Sequence, residues 1–455
     1  MYRFEEAAYR KRMRWYEEAR FGMFIHFGLY AIPARGEWVR SEEETEEREY
    51  LRYFSEFQPD RLDMREWARL AKRAGMCYAV ITAKHHDGFC LYDSALTEFK
   101  STKTPCGRDF VREFTEAMRE EGIRVGLYYS LLDWHHPDYP HYGDKFHPLR
   151  HCAGCGNEGR DFNAYLEYLH GQVRELCSNY GRLDLLWFDF SYEEMRGDRW
   201  KAAELMDMVR TLQPEVIVNN RLEVSGEGYG SLQAGKPSAY HGDFVTPEQM
   251  IPPEGIRDIH GRGIPWEACI TMNRSWGYTE QDRSYKPAGM LIRKLAECVS
   301  KGGNLILNVG PDARGRIPEE ARQRLLRIGD WMRENAESIY GCGDAGYPKP
   351  EYGRYTRKGN TLYYHILEDT AGPLPLPGVK RDTVESIRWL YSGAELPISR
   401  SWVHSDYPDI VFADTGTDGL LPDPDDTVIA VRLRDTGSAD AAPEEQGGED
   451  DHVSQ

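Results

Sequence analysis

DFVREFTEAMREEGIRVGLYY, residues 109–129, is the stretch of sequence that predicts the fold. Phe110, Phe114 and Met118 recur at helical spacing, and Gly122 ends this run. The seven residues after the glycine form a short and mostly apolar run, which is typical of a strand that is buried on both faces. The stretch therefore predicts a helix joined directly to a buried strand, which is the unit of a parallel sheet with helical crossovers.

The same alternation extends in both directions along the chain. It predicts helices at 62–75, 163–180, 200–211 and 318–336, and strands at 22–28, 77–82, 183–190, 216–219 and 304–308. A closed (β/α)8 TIM barrel fits this series better than a doubly wound sheet, because no glycine-rich phosphate-binding turn follows the first strand. We therefore expect an α/β fold with a catalytic barrel over residues 1–340.

The character of the sequence changes after the barrel. Residues 341–435 contain short alternating stretches separated by Gly, Pro and Asp, which predicts a small antiparallel β-sandwich. Residues 436–455 contain six acidic residues and no Lys or Arg. Such a segment cannot bury enough apolar surface to fold, so we expect an acidic disordered tail.

Composition and charge exclude several partners. The 455 residues include 75 acidic and 57 basic side chains, with a formal net charge of −18. An acidic surface repels phosphates, so nucleic acid and anionic membranes are not expected to bind. The high aromatic content of 12% suits either a packed core or a site where rings stack on sugars. Homo-oligomerisation is left open.

The cellular compartment is predicted from cysteines and apolar runs. The nine cysteines are odd in number and scattered, which suits a reducing compartment better than a disulfide framework. The charged first twenty residues lack an apolar signal region, and no run of 18 apolar residues occurs. We expect a cytoplasmic protein.

Polar side chains follow the predicted strands at the points where they end. In a barrel these ends converge on one mouth, where catalytic groups lie. One polar residue at the end of a strand is weak evidence for a functional site, but polar residues at six strand ends together favour one. The residues are His26, Lys84, His85, His86, Asp87, Tyr128, Tyr129, Asp189, Asn219, Asn220, Arg221 and Asn308.

Asp189 is the most informative of these residues. It follows four apolar residues and precedes Phe190, so we expect a buried carboxylate that needs a partner. A salt bridge to Arg221 or Lys84 would supply that partner and also keep a nucleophile ionised. Glycoside hydrolysis needs a second carboxyl as acid, and spacing alone leaves Asp243, Glu248 and Glu267 open.

Several segments resemble the α-L-fucosidases of glycoside hydrolase family 29, in family order over about residues 15–340. The lysine-histidine-histidine run and the glycine-asparagine run are the most specific of them. The segments are RFGMFIHFGLY (20–30), AKHHDGF (83–89), GLYYS (126–130), LWFD (186–189), TPE (246–248), WE (266–267), SWGY (275–278) and GGNLILNVG (302–310).

This resemblance implies a barrel, a C-terminal β-sandwich and a retaining exo-α-L-fucosidase that removes terminal fucose from oligosaccharides or glycoconjugates without a cofactor. It implies that Asp189 is the nucleophile and Glu248 the acid/base, with Glu267 as an alternative acid/base. Phe190 stands where the family often has Gly or Met, and its ring is expected to narrow the leaving-group side. The sugar contacts implied are His26, Glu37, Trp38, His85, His86, Tyr128, Arg221 and Trp276.

The residue types fit fucose chemically. Fucose carries a methyl group on C5, so its site should combine an apolar wall with hydroxyl partners. Histidine, lysine and glutamate supply the donors and acceptors for an axial 4-hydroxyl. The expected wall is Trp38, Phe27, Phe190 and Trp276, and the expected polar partners are His26, His85, His86, Lys84 and Glu37.

Two rival classes are a metal-dependent barrel hydrolase and an inactive fucose-binding protein. Adjacent residues on a regular strand point to opposite faces, so His85 and His86 are not expected to share a metal. Cys152 and Cys155, with His147 and His151 upstream, have ligand types suited to structural zinc. The proposed chemistry requires no metal, and two carboxylates weigh against an inactive protein.

Overall fold

We analysed a computed structural model of the chain, which describes residues 3–141, 144–152, 154–225, 228–400, 403–416 and 420–434. The acidic tail predicted for residues 436–455 lies outside the described residues. The domain limits at 340 and 435 stay predictions.

Seven parallel strands form the central sheet, in the order β5-β4-β3-β2-β1-β7-β6. Every residue of these strands is buried except Arg124, the first residue of β3, which agrees with strands covered on both faces. Their bounds are β1 Phe21–Ile25, β2 Tyr78–Lys84, β3 Arg124–Ser130, β4 Leu185–Asp189, β5 Ile217–Val218, β6 Glu267–Thr271 and β7 Asn304–Val309.

An irregular segment takes the place of an eighth strand and closes the barrel. Residues 243–249 bridge the two edges of the sheet: Phe244 pairs with Asn219 beyond β5, and Glu248 pairs with Cys269 of β6, both in parallel. The predicted barrel is therefore confirmed, with the irregular segment 243–249 in place of its eighth strand.

Helices pack around the barrel. Five of them fall where the periodicity predicts helices, whereas the helix Ala288–Ser300 and the strand Glu267–Thr271 before it were not predicted. Aspartates cap three of the helices: Asp63, Asp109 and Asp161 each accept a hydrogen bond from a backbone N–H of the first turn. The bounds are α1 Glu6–Ala19, α2 Val39–Glu42, α3 Glu47–Glu56, α4 Met64–Arg73, α5 Phe110–Glu120, α6 Phe162–Asn179, α7 Ala202–Leu212, α8 Ala288–Ser300 and α9 Glu319–Asn335.

The C-terminal part is built from antiparallel sheets over its own apolar core. One sheet has five strands in the order β12-β14-β10-β9-β8, and the other pairs β11 with β13. The indole N–H of Trp331 in α9 donates to the backbone oxygen of Asp426 at 2.8 Å, which ties this part to the barrel. The bounds are β8 Gly343–Asp344, β9 Gly353–Lys358, β10 Thr361–Ile366, β11 Leu374–Leu376, β12 Val384–Trp389, α10 Val403–Asp406, β13 Val411–Ala413 and β14 Thr427–Leu433.

Two further features bear on the sequence predictions. In the described part of the chain, no helix has the length and apolar character needed to cross a bilayer. Cys152 and Cys155 are joined as a disulfide, whereas the other seven cysteines are free. The cytoplasmic location stays a prediction.

Candidate functional site

A cavity of about 590 Å³ opens at the carboxyl ends of the barrel strands. This volume is typical of small-molecule sites. Most of the predicted site residues line it, namely His26, Trp38, His85, His86, Tyr128, Asp189, Arg221, Glu248 and Trp276.

Asp189 ends β4 and lies at the floor of the cavity. Its Oδ2 accepts a hydrogen bond from the Tyr128 hydroxyl at 2.8 Å. Its Oδ1 accepts from Arg221 Nη1 at 2.8 Å and from the backbone N–H of Phe190 at 2.9 Å. The carboxylate is thus oriented by three donors, and the predicted ion pair with Arg221 is present.

Arg221 connects the two predicted catalytic carboxyls. Its Nη2 donates to Glu248 Oε2 at 2.9 Å, while its Nε donates to the Thr246 hydroxyl at 3.0 Å. The side chain of Glu248 is 43% exposed, whereas that of Arg221 is 6% exposed. Two carboxylates therefore share one buried guanidinium, and the outer carboxylate has room to move.

The charge of Asp189 results from two opposing effects. Burial raises the pKa of its carboxyl above the ordinary value of 3.8, while the neighbouring Arg221 cation lowers it. The negative charge of Glu248 raises it further. Arg221 is the only cation that donates to this carboxylate among the described residues, so the ionised form depends on it.

His26 is held as a neutral ring with a defined tautomer. Burial lowers the pKa of His26 to about 3. Its Nδ1 lies 2.7 Å from Asn308 Oδ1, and the Asn308 amide donates to the backbone oxygen of Trp276 at 2.7 Å. Because Asn308 presents its oxygen to the ring, Nδ1 carries the proton and Nε2 is left as an acceptor.

His86 follows the same design. Its Nδ1 lies 2.6 Å from the Ser130 hydroxyl oxygen, which itself donates to the backbone oxygen of Leu132 at 3.0 Å. The hydroxyl therefore accepts from Nδ1–H, and Nε2 is again an acceptor. Burial lowers the pKa of His86 well below its usual value, so the ring is neutral.

The prediction that His85 and His86 point to opposite faces is wrong. Strand β2 ends at Lys84, and the two histidines lie in the turn that follows, where the N–H of Gly88 donates to the His85 backbone oxygen at 3.1 Å. Both rings line the cavity, with centroids 4.0 Å apart. The alternation of a regular strand does not apply to a turn.

The apolar wall differs in part from the predicted one. Trp38, Phe190 and Trp276 line the cavity as expected, but Phe27 packs in the core against Phe57, Trp67 and Phe110. Phe24, which belongs to β1, lines the cavity instead. Further wall residues that the sequence did not indicate are Phe146, Trp187, Tyr192, Tyr229 and Met250.

Phe190 adopts a backbone conformation that favours glycine. Its φ is +75°, in the left-handed region. A glycine would adopt this conformation without strain, whereas a residue with a Cβ rarely does. Here the ring contacts Trp38, His86 and Phe146 on the outer side of Asp189, where we expected it to narrow the leaving-group side.

Three predicted polar residues lie outside the cavity. Lys84 is fully buried and pairs with Asp133 at 3.0 Å, so the prediction that it contacts the sugar is wrong. Glu37 accepts from the backbone N–H of Gly277 at 2.7 Å and therefore supports the segment that carries Trp276. Asp243 forms two buried ion pairs, with Arg12 at 2.7 Å and with Arg210 at 2.6 Å, and is therefore structural.

Glu267 is the first residue of β6, at the end of the barrel opposite the cavity. It accepts hydrogen bonds from the Tyr78 hydroxyl and from Trp187 Nε1, the latter at 3.3 Å. It does not line the cavity, so the structure does not bring this alternative acid/base to the site.

The metal-ligating clusters considered from the sequence do not form. Among the described residues, no group of three or more His, Cys, Asp or Glu side chains is arranged to hold a metal ion. Cys152 and Cys155 bond to each other, and the His151 ring lies 2.7 Å from Glu44.

Comparison with known proteins gives a consistent result. The family model described as alpha-L-fucosidase matches residues 2–337. An alpha-L-fucosidase of Dictyostelium discoideum is 32% identical over 72% of this chain and 71% of its own length. The structure of alpha-L-fucosidase isoenzyme 1 from Paenibacillus thiaminolyticus is 54% identical, with a TM-score of 0.91, and covers 94% of this chain and 100% of that one.

A second solved structure bears on the mechanism. An alpha-L-fucosidase of glycoside hydrolase family 29 from Bacteroides thetaiotaomicron was trapped as a covalent intermediate with 2-fluoro-fucosyl fluoride. It is 28% identical, has a TM-score of 0.79 and covers 95% of this chain and 97% of that one.

Proposed function

Because this chain belongs to the α-L-fucosidase family and is a retaining glycoside hydrolase, we propose that Asp189 is its nucleophile and Glu248 its acid/base. The substrate is a fucosylated compound, and the bond cleaved joins the anomeric carbon of a terminal α-L-fucose to the next group.

One observation carries the assignment. Asp189 and Glu248 bind different nitrogens of the same guanidinium, that of Arg221, at 2.8 and 2.9 Å. Retaining glycosidases hold their two carboxyl groups about 5–5.5 Å apart, closer than inverting enzymes do, because no water fits between nucleophile and sugar. Sharing a single guanidinium supports a close pair of this kind.

The first step forms a covalent ester. Asp189 attacks the anomeric carbon, the bond to the aglycone oxygen breaks, and Glu248 gives its proton to that oxygen. Glu248 is half exposed, which allows it to leave Arg221 and meet the aglycone. In the second step water attacks the anomeric carbon, its proton passes to Glu248, and Asp189 is released.

The neutral histidines and the apolar wall suit a 6-deoxy sugar. The Nε2 atoms of His26 and His86 are acceptors for sugar hydroxyl groups. Phe24, Trp187 and Trp276 offer an apolar surface for the C5 methyl group. On one side of the site, the sugar hydroxyl groups donate to the histidines. On the other side, the methyl group contacts the apolar wall.

Chemical rescue tests the two roles separately. Asp189→Ala should lose hydrolysis of 4-nitrophenyl α-L-fucoside and regain turnover with azide, giving the inverted β-L-fucosyl azide. Glu248→Ala should regain turnover with azide on the same activated substrate, giving the retained α-L-fucosyl azide. Azide attacks from the face that the missing carboxylate leaves open, so product configuration identifies the role.

Glu193→Ala is the matched control, because Glu193 is a carboxylate that also lines the cavity but pairs with Lys145. It should form no fucosyl azide. A β-azide from Glu248→Ala, or no azide product from Asp189→Ala, would refute the assignment.

A further inference from the structure

Glu267 is a buried carboxyl group that the proposed mechanism leaves unused. It is 0% exposed, and among the described residues no cation pairs with it. It accepts hydrogen bonds from the Tyr78 phenol and the Trp187 indole, and the Tyr16 phenol also interacts with it. Burying an acid without a cation is costly, so its place on the barrel axis calls for an explanation.

The indole that binds Glu267 lies directly beneath the catalytic groups. The ring of Trp187 stacks on Tyr128, with centroids 5.7 Å apart and an interplanar angle of 23°. The guanidinium carbon of Arg221 lies 4.7 Å from the same ring. Tyr128 and Arg221 are the two side chains that donate to Asp189. Trp187 therefore supports both side-chain donors of the nucleophile.

The orientation of this ring depends on its N–H group. The ring is 3% exposed and surrounded by Phe24 and Tyr128 on the cavity side. A buried N–H without an acceptor loses the free energy of a hydrogen bond, so the rotamer that reaches Glu267 is the favoured one. The acceptor below the floor thus selects the ring orientation above it.

We propose that Glu267 is a positioning residue: it fixes Trp187 through the indole N–H and thereby sets the places of Tyr128 and Arg221 around Asp189. This proposal rests on the proposed role of Asp189 as nucleophile. Glu267 touches neither the cavity nor the reacting atoms, so it acts only through the ring. The sequence suggested Glu267 as an alternative acid/base, whereas its place in the structure suits support of Trp187.

An uncharged acceptor is sufficient for this role. A glutamine at 267 can accept from the Trp187 indole with its oxygen and donate to the Tyr78 hydroxyl oxygen with its amide, so both contacts survive. Methionine fills similar space but offers the indole only a weak acceptor. The two substitutions therefore separate the hydrogen bond from the carboxyl chemistry.

The experiment measures kcat and KM of E267Q, E267M and Y78F on 4-nitrophenyl α-L-fucoside, with melting temperatures for each. We expect E267Q to keep kcat within a few-fold, and E267M to lower kcat by about 10–100-fold with a smaller change in KM, because small displacements of catalytic groups cost rate. Y78F removes a phenol donor to Glu267, spares the indole and should keep kcat. E267L serves in place of E267M if that variant does not fold.

A double-mutant cycle tests whether Glu267 acts through Trp187. W187F removes the N–H, so the loss in E267M/W187F should be no larger than that of the more damaging single variant. A loss equal to the product of the two single effects would overturn the proposal. So would an E267Q variant as inactive as E267M, and recovery of E267Q with azide would make Glu267 the acid/base. Rescue of D189A by azide, measured in parallel, reports on the nucleophile independently.

Discussion

The two ends of the barrel each bury a carboxyl group beneath or beside Trp187, and they treat it differently. At the carboxyl end, Asp189 accepts from an arginine, a tyrosine and a backbone N–H. At the amino end, Glu267 accepts from a phenol and an indole. Burial raises the pKa of both groups, for Glu267 to about 7. Burial alone therefore does not mark a nucleophile; the neighbouring cation does.

The largest expected effect removes the charge at the carboxyl end. Asp189→Asn keeps the size of the side chain but eliminates the nucleophile, so we expect kcat on 4-nitrophenyl α-L-fucoside to fall by about 10⁴-fold or more. Steady-state kinetics check this, with E267Q as the matched amide substitution at the other end. Similar losses in the two variants would break the comparison.

The next effect turns the environment of Asp189 into one like that of Glu267. Arg221→Met removes the cation, so the pKa of Asp189 should rise further. The nucleophile must be ionised, and activity is lost as the pH falls through this pKa; the acid limb of kcat/KM should therefore move to higher pH. We also expect kcat/KM at its optimum to fall by about 10²-fold.

The pH–rate profile of Arg221→Met, measured against the wild-type profile, checks this shift. Arg221→Lys is the control, because it restores the charge but cannot bind both carboxylates through a planar fork. It should return the acid limb toward the wild-type position with only part of the rate. An acid limb unmoved in Arg221→Met would show that the arginine does not control ionisation.

A smaller effect is expected at Tyr128. Tyr128→Phe removes one hydrogen bond to the carboxylate and leaves the stacking on Trp187 intact, so kcat should fall by about 10-fold. The loss of a donor also moves the acid limb slightly upward. Tyr129→Phe is the matched control, because the Tyr129 hydroxyl donates to Gln172. If both variants lose the same rate, the loss reports packing and not the nucleophile.

The smallest effect on activity is expected for E267Q at the amino end, which should change the pH dependence of stability instead. The folded pKa of Glu267, about 7, lies above its ordinary value of 4.5, so the folded state binds a proton that the unfolded state releases. Stability is therefore lost as the pH rises from about 4.5 to 7, by up to about 3 kcal/mol. E267Q should flatten this part of the urea-unfolding free energy against pH. An unchanged slope would show that Glu267 does not titrate there.

The fold class and most of the site were predictable because the alternation of helices and strands, and the polar residues at strand ends, can be read from local sequence. A buried strand followed by a polar residue places that residue at the mouth, as it does for His26, Asp189 and Arg221. Side-chain direction was less predictable. Phe27 follows β1 and Lys84 is the last residue of β2, yet both side chains point into packed surroundings. Their direction depends on where the strand ends and the turn begins, which the sequence pattern does not locate.

Contacts made by loops were beyond reach from the sequence. Phe146 and Tyr192 reach the cavity from segments without regular structure, and no periodicity marks them. Glu267 is the first residue of β6, a strand that the sequence patterns did not predict, so its distance from the mouth was not predicted either. The irregular segment 243–249 was not predicted because its sequence has no strand pattern.

The irregular segment 243–249 has a consequence for how the enzyme can be redesigned. The nucleophile is mounted on a fully paired strand, whereas Glu248 is mounted on a segment held by isolated bridges and anchored at Asp243. Insertions, deletions or exchanged segments between the anchor and β6 can relocate the acid/base without disturbing the paired framework. The two carboxylates therefore differ in how readily they can evolve. The position of Asp189 is fixed by the paired sheet, whereas the position of Glu248 can change with its segment.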